Sequence, residues 1–205
     1  EGVTISDYNI SSFNSGAVLV TGEGATFEMN GGLIAKNRIV DAQIAGAVLL
    51  LDRAEFVMNG GRIAANQCSG GNAFLTSSGV MVTVGCTFSL QGGEISENTG
   101  YRGSAVFAYS DSAASRATFR MTGGTISGNK TAAYGQLTSS GAVFIQDAAD
   151  FSMEGGAISD NTGGNGAGVC VVDSGVQSHT AQYKTSFVMD GGVISGNRAV
   201  NGINA

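Results

Sequence analysis

Several groups of side chains in this 205-residue sequence have the chemistry to do more than fold it. Asp147, Asp150 and Asp173 fall near Arg116 and Lys184 when the chain is aligned on its internal repeat, a grouping equipped for acid–base work. Glu154 and Asp190 occupy one column in successive repeats, where two carboxylates would share a cation or act as an acid pair, although solvated surface carboxylates are the simpler assignment. Tyr109, Tyr134 and Tyr183, with Phe74 and His179, stand in segments where the repeat lengthens amid Ser, Asn, Gln and Gly. Such residues suit stacking on sugar rings or packing on a protein surface.

Other groups point away from chemistry. Cys86 shares its column with Ala25, Ala54, Ala117, Ala149 and Thr185, and Cys170 is aligned with Val18, Val48, Met81, Val106 and Val143, so both are expected to be small buried apolar residues. Cys68 is assigned to a turn, and no His/Asn pattern supports a thiol nucleophile. The single His179 cannot make a His-based metal site and is assigned to an exposed loop. Gly163-Gly164-Asn165-Gly166 lacks the strand and helix that a phosphate cradle needs. No cofactor is expected. Calcium is the one ion kept as an alternative.

What must position these residues is a phrase that recurs six times, Phe-x-(Met/Leu)-x-Gly-Gly-x-Ile-x-x-Asn. Its Phe residues are Phe27, Phe56, Phe88, Phe119, Phe151 and Phe187, and its last residues are Asn37, Asn66, Asn98, Asn129, Asn161 and Asn197. Successive starts are 29, 32, 31, 32 and 36 residues apart, a period typical of solenoids. Around each Phe the alternation has period two, apolar inward and polar outward, which makes a strand. The Ile marks a second strand entered through the Gly-Gly pair, where a bend or close stacking excludes a side chain. A third precedes each Phe, as in Gly16-Ala17-Val18-Leu19-Val20 and Gly141-Ala142-Val143-Phe144-Ile145. Three strands per repeat close one coil, and stacked coils set Phe on Phe and Asn on Asn at about 4.8 Å, close enough for an amide ladder. The expected fold is therefore all-β, a right-handed parallel β-helix of about six coils of three short strands, in a single domain over 1–205. A leucine-rich repeat also ends its strand in Asn, but eight Leu and Gly at the Leu positions weigh against it.

In the third strand, with Val18, Val48, Met81, Val106, Val143 and Cys170 taken as inward, Leu19, Leu49, Val82, Phe107, Phe144 and Val171 point outward. That is an apolar outer stripe, either covered by inserted loops or offered to a partner.

Composition closes off other classes. A net charge of −6 with scattered Lys and Arg provides no stripe for nucleic acid, and no apolar run is long enough to span a membrane. The open ends of a strand stack invite end-to-end self-association.

The phrase Thr118-Phe119-x-Met121-x-Gly123-Gly124-x-Ile126-Ser127-Gly128-Asn129, with the run Ser140-Gly141-Ala142-Val143-Phe144, resembles the parallel β-helix repeats of bacterial and archaeal cell-surface, adhesin-like proteins, which share the pectin-lyase-like fold. The resemblance covers all six copies and is a resemblance of architecture. It implies a segment of a larger, secreted, cell-surface protein, with no catalytic residue carried over. The leading expectation is a non-enzymatic adhesin or stalk that recognises a glycan or a neighbouring protein through Phe107, Tyr109, Tyr134, Phe144, His179 and Tyr183. The alternatives are a polysaccharide lyase or glycoside hydrolase using the Asp147, Asp150, Asp173, Arg116 and Lys184 grouping, and a purely structural spacer.

Overall fold

The computed structural model describes residues 2–40, 42–69, 75–131, 140–173 and 183–200. Within them the chain is all strand and visits three parallel sheets in turn, each repeat pairing with the one before. The Phe strands (Thr26–Met29, Glu55–Met58, Thr87–Leu90, Ala117–Met121) and the Ile strands (Leu33–Ala35, Arg62–Ala64, Glu94–Ser96, Thr125–Ser127) form two files of one eleven-stranded sheet, which merge in Ala149–Ser159 and Ser186–Ser195. The Val strands (Asn14–Thr21, Ile44–Leu51, Val80–Val82, Gly103–Ser110, Gly141–Asp147, Val169–Val172) make a second sheet with Leu75–Thr76. The third sheet follows each Asn in strands of two or three residues, such as Arg38–Val40 and Thr99–Gly100. Three strands per repeat were expected from the sequence; this fourth segment is too short to show an alternation. Among the described residues no helix is long and apolar enough to cross a membrane.

The register explains the repeated phrase. Phe27, Phe56, Phe88, Phe119, Phe151 and Phe187 are direct partners in successive strands. Their rings stack with centroids 4.5–5.1 Å apart and planes within 13°. Burying such a side chain contributes about 1.5–3 kcal/mol, and aromatic pairing adds to that. The Asn column solves a different problem, the polar backbone at a buried corner. The Oδ1 of Asn66, Asn98, Asn129, Asn161 and Asn197 accepts both the backbone N–H and the Nδ2–H of the Asn one repeat earlier, at 2.9–3.0 Å. Each Nδ2 also donates to the carbonyl of an Ile in the preceding repeat, as Asn98 does to Ile63 at 2.9 Å. Left unpaired, each such buried group would cost about 1–3 kcal/mol.

The corner before each Asn is left-handed in every repeat, with φ from 54° to 64° at Lys36, Ala65, Glu97, Gly128, Asp160 and Gly196. The Gly-Gly pair divides two tasks. The second glycine has φ of 75–87°. A Cβ on the first would sit 2.2–2.8 Å from a carbonyl oxygen of the preceding repeat at Gly60, Gly92, Gly123, Gly155 and Gly191. Strands could not stack this closely with any larger residue there.

The Val strands depart from the expected register. Val80 pairs with Val48 and Val106, so Met81 aligns with Leu49 and Phe107. Cys170 pairs with Phe144, and Val169 with Val143. The outer column is thus Leu19, Leu49, Met81, Phe107, Phe144 and Cys170, while Val82 and Val171 share the column of Val20, Leu50, Ala108 and Ile145. In the third and sixth repeats the glycine before the Val fills the slot that Ala occupies elsewhere, and a slip of one residue moves a side chain to the other face of the strand.

The outer column is also covered from the second repeat onward, while Leu19 in the first is 48 % exposed. Leu49, Met81 and Phe107 are 0 % exposed and Phe144 is 1 % exposed, in a second apolar cluster with Cys170. Ile44, Leu51, Leu75, Tyr109 and Val172 pack against it. Leu75 comes from the lengthened Gln67–Ser78 segment, so an insertion does part of the covering. Phe107 and Phe144 therefore belong to a core and not to a bare contact stripe.

Candidate functional site

The residues singled out for chemistry separate into two groups where the Val strands end and the Phe strands begin. Arg116 enters Ala117–Met121, and Asp150 lies near the start of Ala149–Ser159 in the next repeat. The Arg116 guanidinium donates through both Nε and Nη2 to the Asp150 carboxylate, the latter at 2.7 Å, and Nη2 also reaches the carbonyls of Ala149 and Lys184. Ser186 donates to the same carboxylate. Burial alone would raise the Asp150 carboxyl, but the bonds from Arg116 and Ser186, with the Arg116 charge, outweigh it and hold the group below the usual carboxylate range. The Arg116 guanidinium is raised in turn, chiefly by its bond to Asp150. A carboxylate held ionised by a two-point cation is poorly placed to deliver or take a proton. Of the remaining members of this grouping, Lys184 contributes its carbonyl while its side chain is exposed, and Asp173 stands exposed outside the network.

Asp147 belongs to the second group. Ser110 pairs with Asp147 and Tyr109 with Gln146 across the Val strands, which sets these side chains along one edge. The Asp147 carbonyl accepts from Thr185, which brings the chain just after Tyr183 to this edge. Arg102 completes the patch: its guanidinium carbon lies 5.9 Å from the centre of the Phe144 ring, and its Nη1 donates to Gln146 Oε1 at 2.9 Å. Its Nε–H is buried and has no acceptor among the described residues. Burial lowers the Arg102 pKa, and the Asp147 charge opposes that shift. Tyr109 packs on Phe107 edge to face at 6.4 Å. Its hydroxyl is raised by burial and then by the charges of Asp111 and Asp147 and by Tyr183.

The patch thus offers two phenol rings, a donor without an acceptor, an amide and two carboxylates. Such a set suits noncovalent recognition of a hydroxyl-bearing or amide-bearing ligand. Arg102, Asp111 and Gln146 are members that residue type and spacing did not single out; an Arg directly before the apolar run Gly103–Ser110 was the signal for the first. Phe74, Tyr134 and His179 lie outside the described residues.

Glu154 and Asp190 do not share the column in which the alignment set them. Glu154 turns back to Arg120 at 2.7 Å, and the register slips so that Glu154 pairs with Gly191, leaving Asp190 at the irregularity. No group of three or more His, Cys, Asp or Glu suited to a metal ion occurs among the described residues. The cysteines are all buried, free and raised by burial, which disfavours the thiolate. Cys68 is in a strand, Gln67–Ser69, packed with Ile39 and Ala42, and not in the turn expected for it.

No protein-family model, curated protein or solved structure matches the chain.

Proposed function

We propose that the three parallel sheets form a right-handed β-helix of the pectin-lyase-like kind, and that this chain is a non-catalytic binding segment of a cell-surface protein. The stacked Phe and Asn columns make a stiff support whose repeat residues are occupied with packing and backbone pairing. Recognition falls to the edge patch of Arg102, Tyr109, Gln146, Asp147 and Tyr183, where a glycan or a protein surface docks. One observation carries this reading, the buried Arg102 Nε–H that has no acceptor among the described residues, beside a half-buried tyrosine. That nitrogen is closed to solvent as the chain stands, so a ligand oxygen would reach it only by displacing the Arg102 side chain, at a site where an unmet donor costs about 1–3 kcal/mol.

The test mixes the protein with a panel of polysaccharides and surface-protein extracts, with and without calcium, and follows protein and polymer together on a sizing column. Co-migration with intact polymer or with a captured protein, lost in both Tyr109→Ala and Tyr183→Ala, is the expected result. Polymer shortened by the wild type would replace this reading with a polysaccharide lyase or glycoside hydrolase. Absence of any shift across the panel would leave a spacer.

A further inference from the structure

The outward face of the Phe and Ile strands is cross-linked from one repeat to the next by polar side chains. Asn59 donates to Glu28 at 3.0 Å and to Asn30 at 2.8 Å, tying the second repeat to the first. Arg62 and Glu94 tie the second to the third at 3.0 Å. Arg120 and Glu154 tie the fourth to the fifth at 2.7 Å, and Ser186 and Asp150 the fifth to the sixth.

Between the third and fourth repeats no such bridge exists among the described residues. Ser89 lies opposite Arg120, and Gln91 stands beside Thr122, whose N–H bonds to the Leu90 carbonyl. These four form a two-by-two array on strands about 4.8 Å apart. The Ser89, Gln91 and Thr122 side chains make no hydrogen bond among the described residues, and Arg120 is turned away toward Glu154. The four line a depression of about 340 Å³.

We propose that this depression is a second binding site, for one neutral pyranose ring of an oligosaccharide. The depression is open to solvent, with Gln91, Arg120 and Thr122 exposed and Ser89 half-buried, so a sugar ring would rest on it with one face in water. Two hydroxyls and a primary amide each donate and accept, which matches the dual character of sugar hydroxyls. Charge selects the neutral class: Arg120, the one cation lining the depression, is offset by Glu154 and so is not free for a uronate or a sulfate. The site shares no residue with the Tyr109 patch and stands or falls independently of it.

Amide-resolved NMR titration of the whole chain with cello-, malto- and manno-tetraose, with a galacturonate oligomer as the acidic comparison, tests the assignment. At least one neutral probe is expected to give saturable shifts at Ser89, Gln91, Arg120 and Thr122 and at the Gln91 side-chain amide. Gln91→Leu and Thr122→Val, which keep shape and remove hydrogen bonding, should each weaken that binding about tenfold, while Tyr109→Ala leaves it unchanged. Thermal melts that match the wild type establish that both variants fold; if one does not, the other variant and the wild-type titration decide. No saturable shift at these residues, equal binding by the variants, or tighter binding of the acidic oligomer overturns the proposal.

Discussion

The two outer faces of this molecule rest on the same interior and have opposite fates. On the Val strands the outward column is apolar and, from the second repeat onward, buried, with Leu49, Met81, Phe107 and Phe144 roofed by Leu75, Tyr109 and their neighbours. On the Phe strands most outward positions are polar, such as Glu28, Ser89 and Arg120, and they meet solvent, with Val57 and Val188 the apolar members of the same column. A repeating backbone dictates only what faces inward. What lies outside is set by whether a segment crosses over it, and the roofed face has become a second small core while the bare face has kept its polar side chains for bridging.

The largest test of this contrast is Phe107→Ala. If the Val-strand face is a packed core, the loss should be about 3–5 kcal/mol, as for other buried Phe truncations. Chemical denaturation with an unchanged slope would measure it. A cost below about 0.5 kcal/mol, the size of ordinary surface substitutions, would mean the face is bare in solution and reopen it as a contact stripe.

How far the sequence foretold this arrangement depends on the kind of constraint. The Phe and Asn columns were legible because stacking repeats the same demand at the same place, so identity recurs. The strand files and the Gly-Gly bend were legible for the same reason. The Val-strand register was not, because Val, Leu, Met and Cys are interchangeable as apolar residues and only pairing distinguishes Val80 from Met81. The roof over Phe107 was also hidden, since Leu75 reaches it from an insertion that has no counterpart in other repeats. At the edge, Tyr109, Tyr183 and Asp147 were named from their types alone. That Asp150 leaves them to join Arg116, while Arg102 takes its place beside Asp147, depends on side-chain direction at strand ends, which periodicity does not encode.

Asp150 provides an intermediate test, at the margin between the two faces. Its folded pKa lies below the unfolded one, so the stability it contributes is present above the ordinary carboxylate value near 3.8 and is lost as the pH falls through the lower folded value. The side chain is 34 % exposed, which screens the pair, and a contribution of about 1 kcal/mol at neutral pH is the expected scale. Asp150→Asn should lower the melting temperature at pH 7 and flatten the acid limb of a stability–pH curve. An unchanged acid limb would mean that the Arg116 clamp does not hold the two repeats together in solution.

The smallest effect belongs to the bare face, and its smallness is the point. Arg62 and Glu94 pair at 3.0 Å with side chains 49 % and 37 % exposed, so water and salt compete for both. Arg62→Ala should cost under about 0.5 kcal/mol, and that cost should shrink further in 1 M salt, where charges are screened within about 3 Å. A loss comparable to that of Phe107→Ala would erase the distinction between the faces, because it would require the polar bridges to bear as much of the stack as the roofed apolar column does.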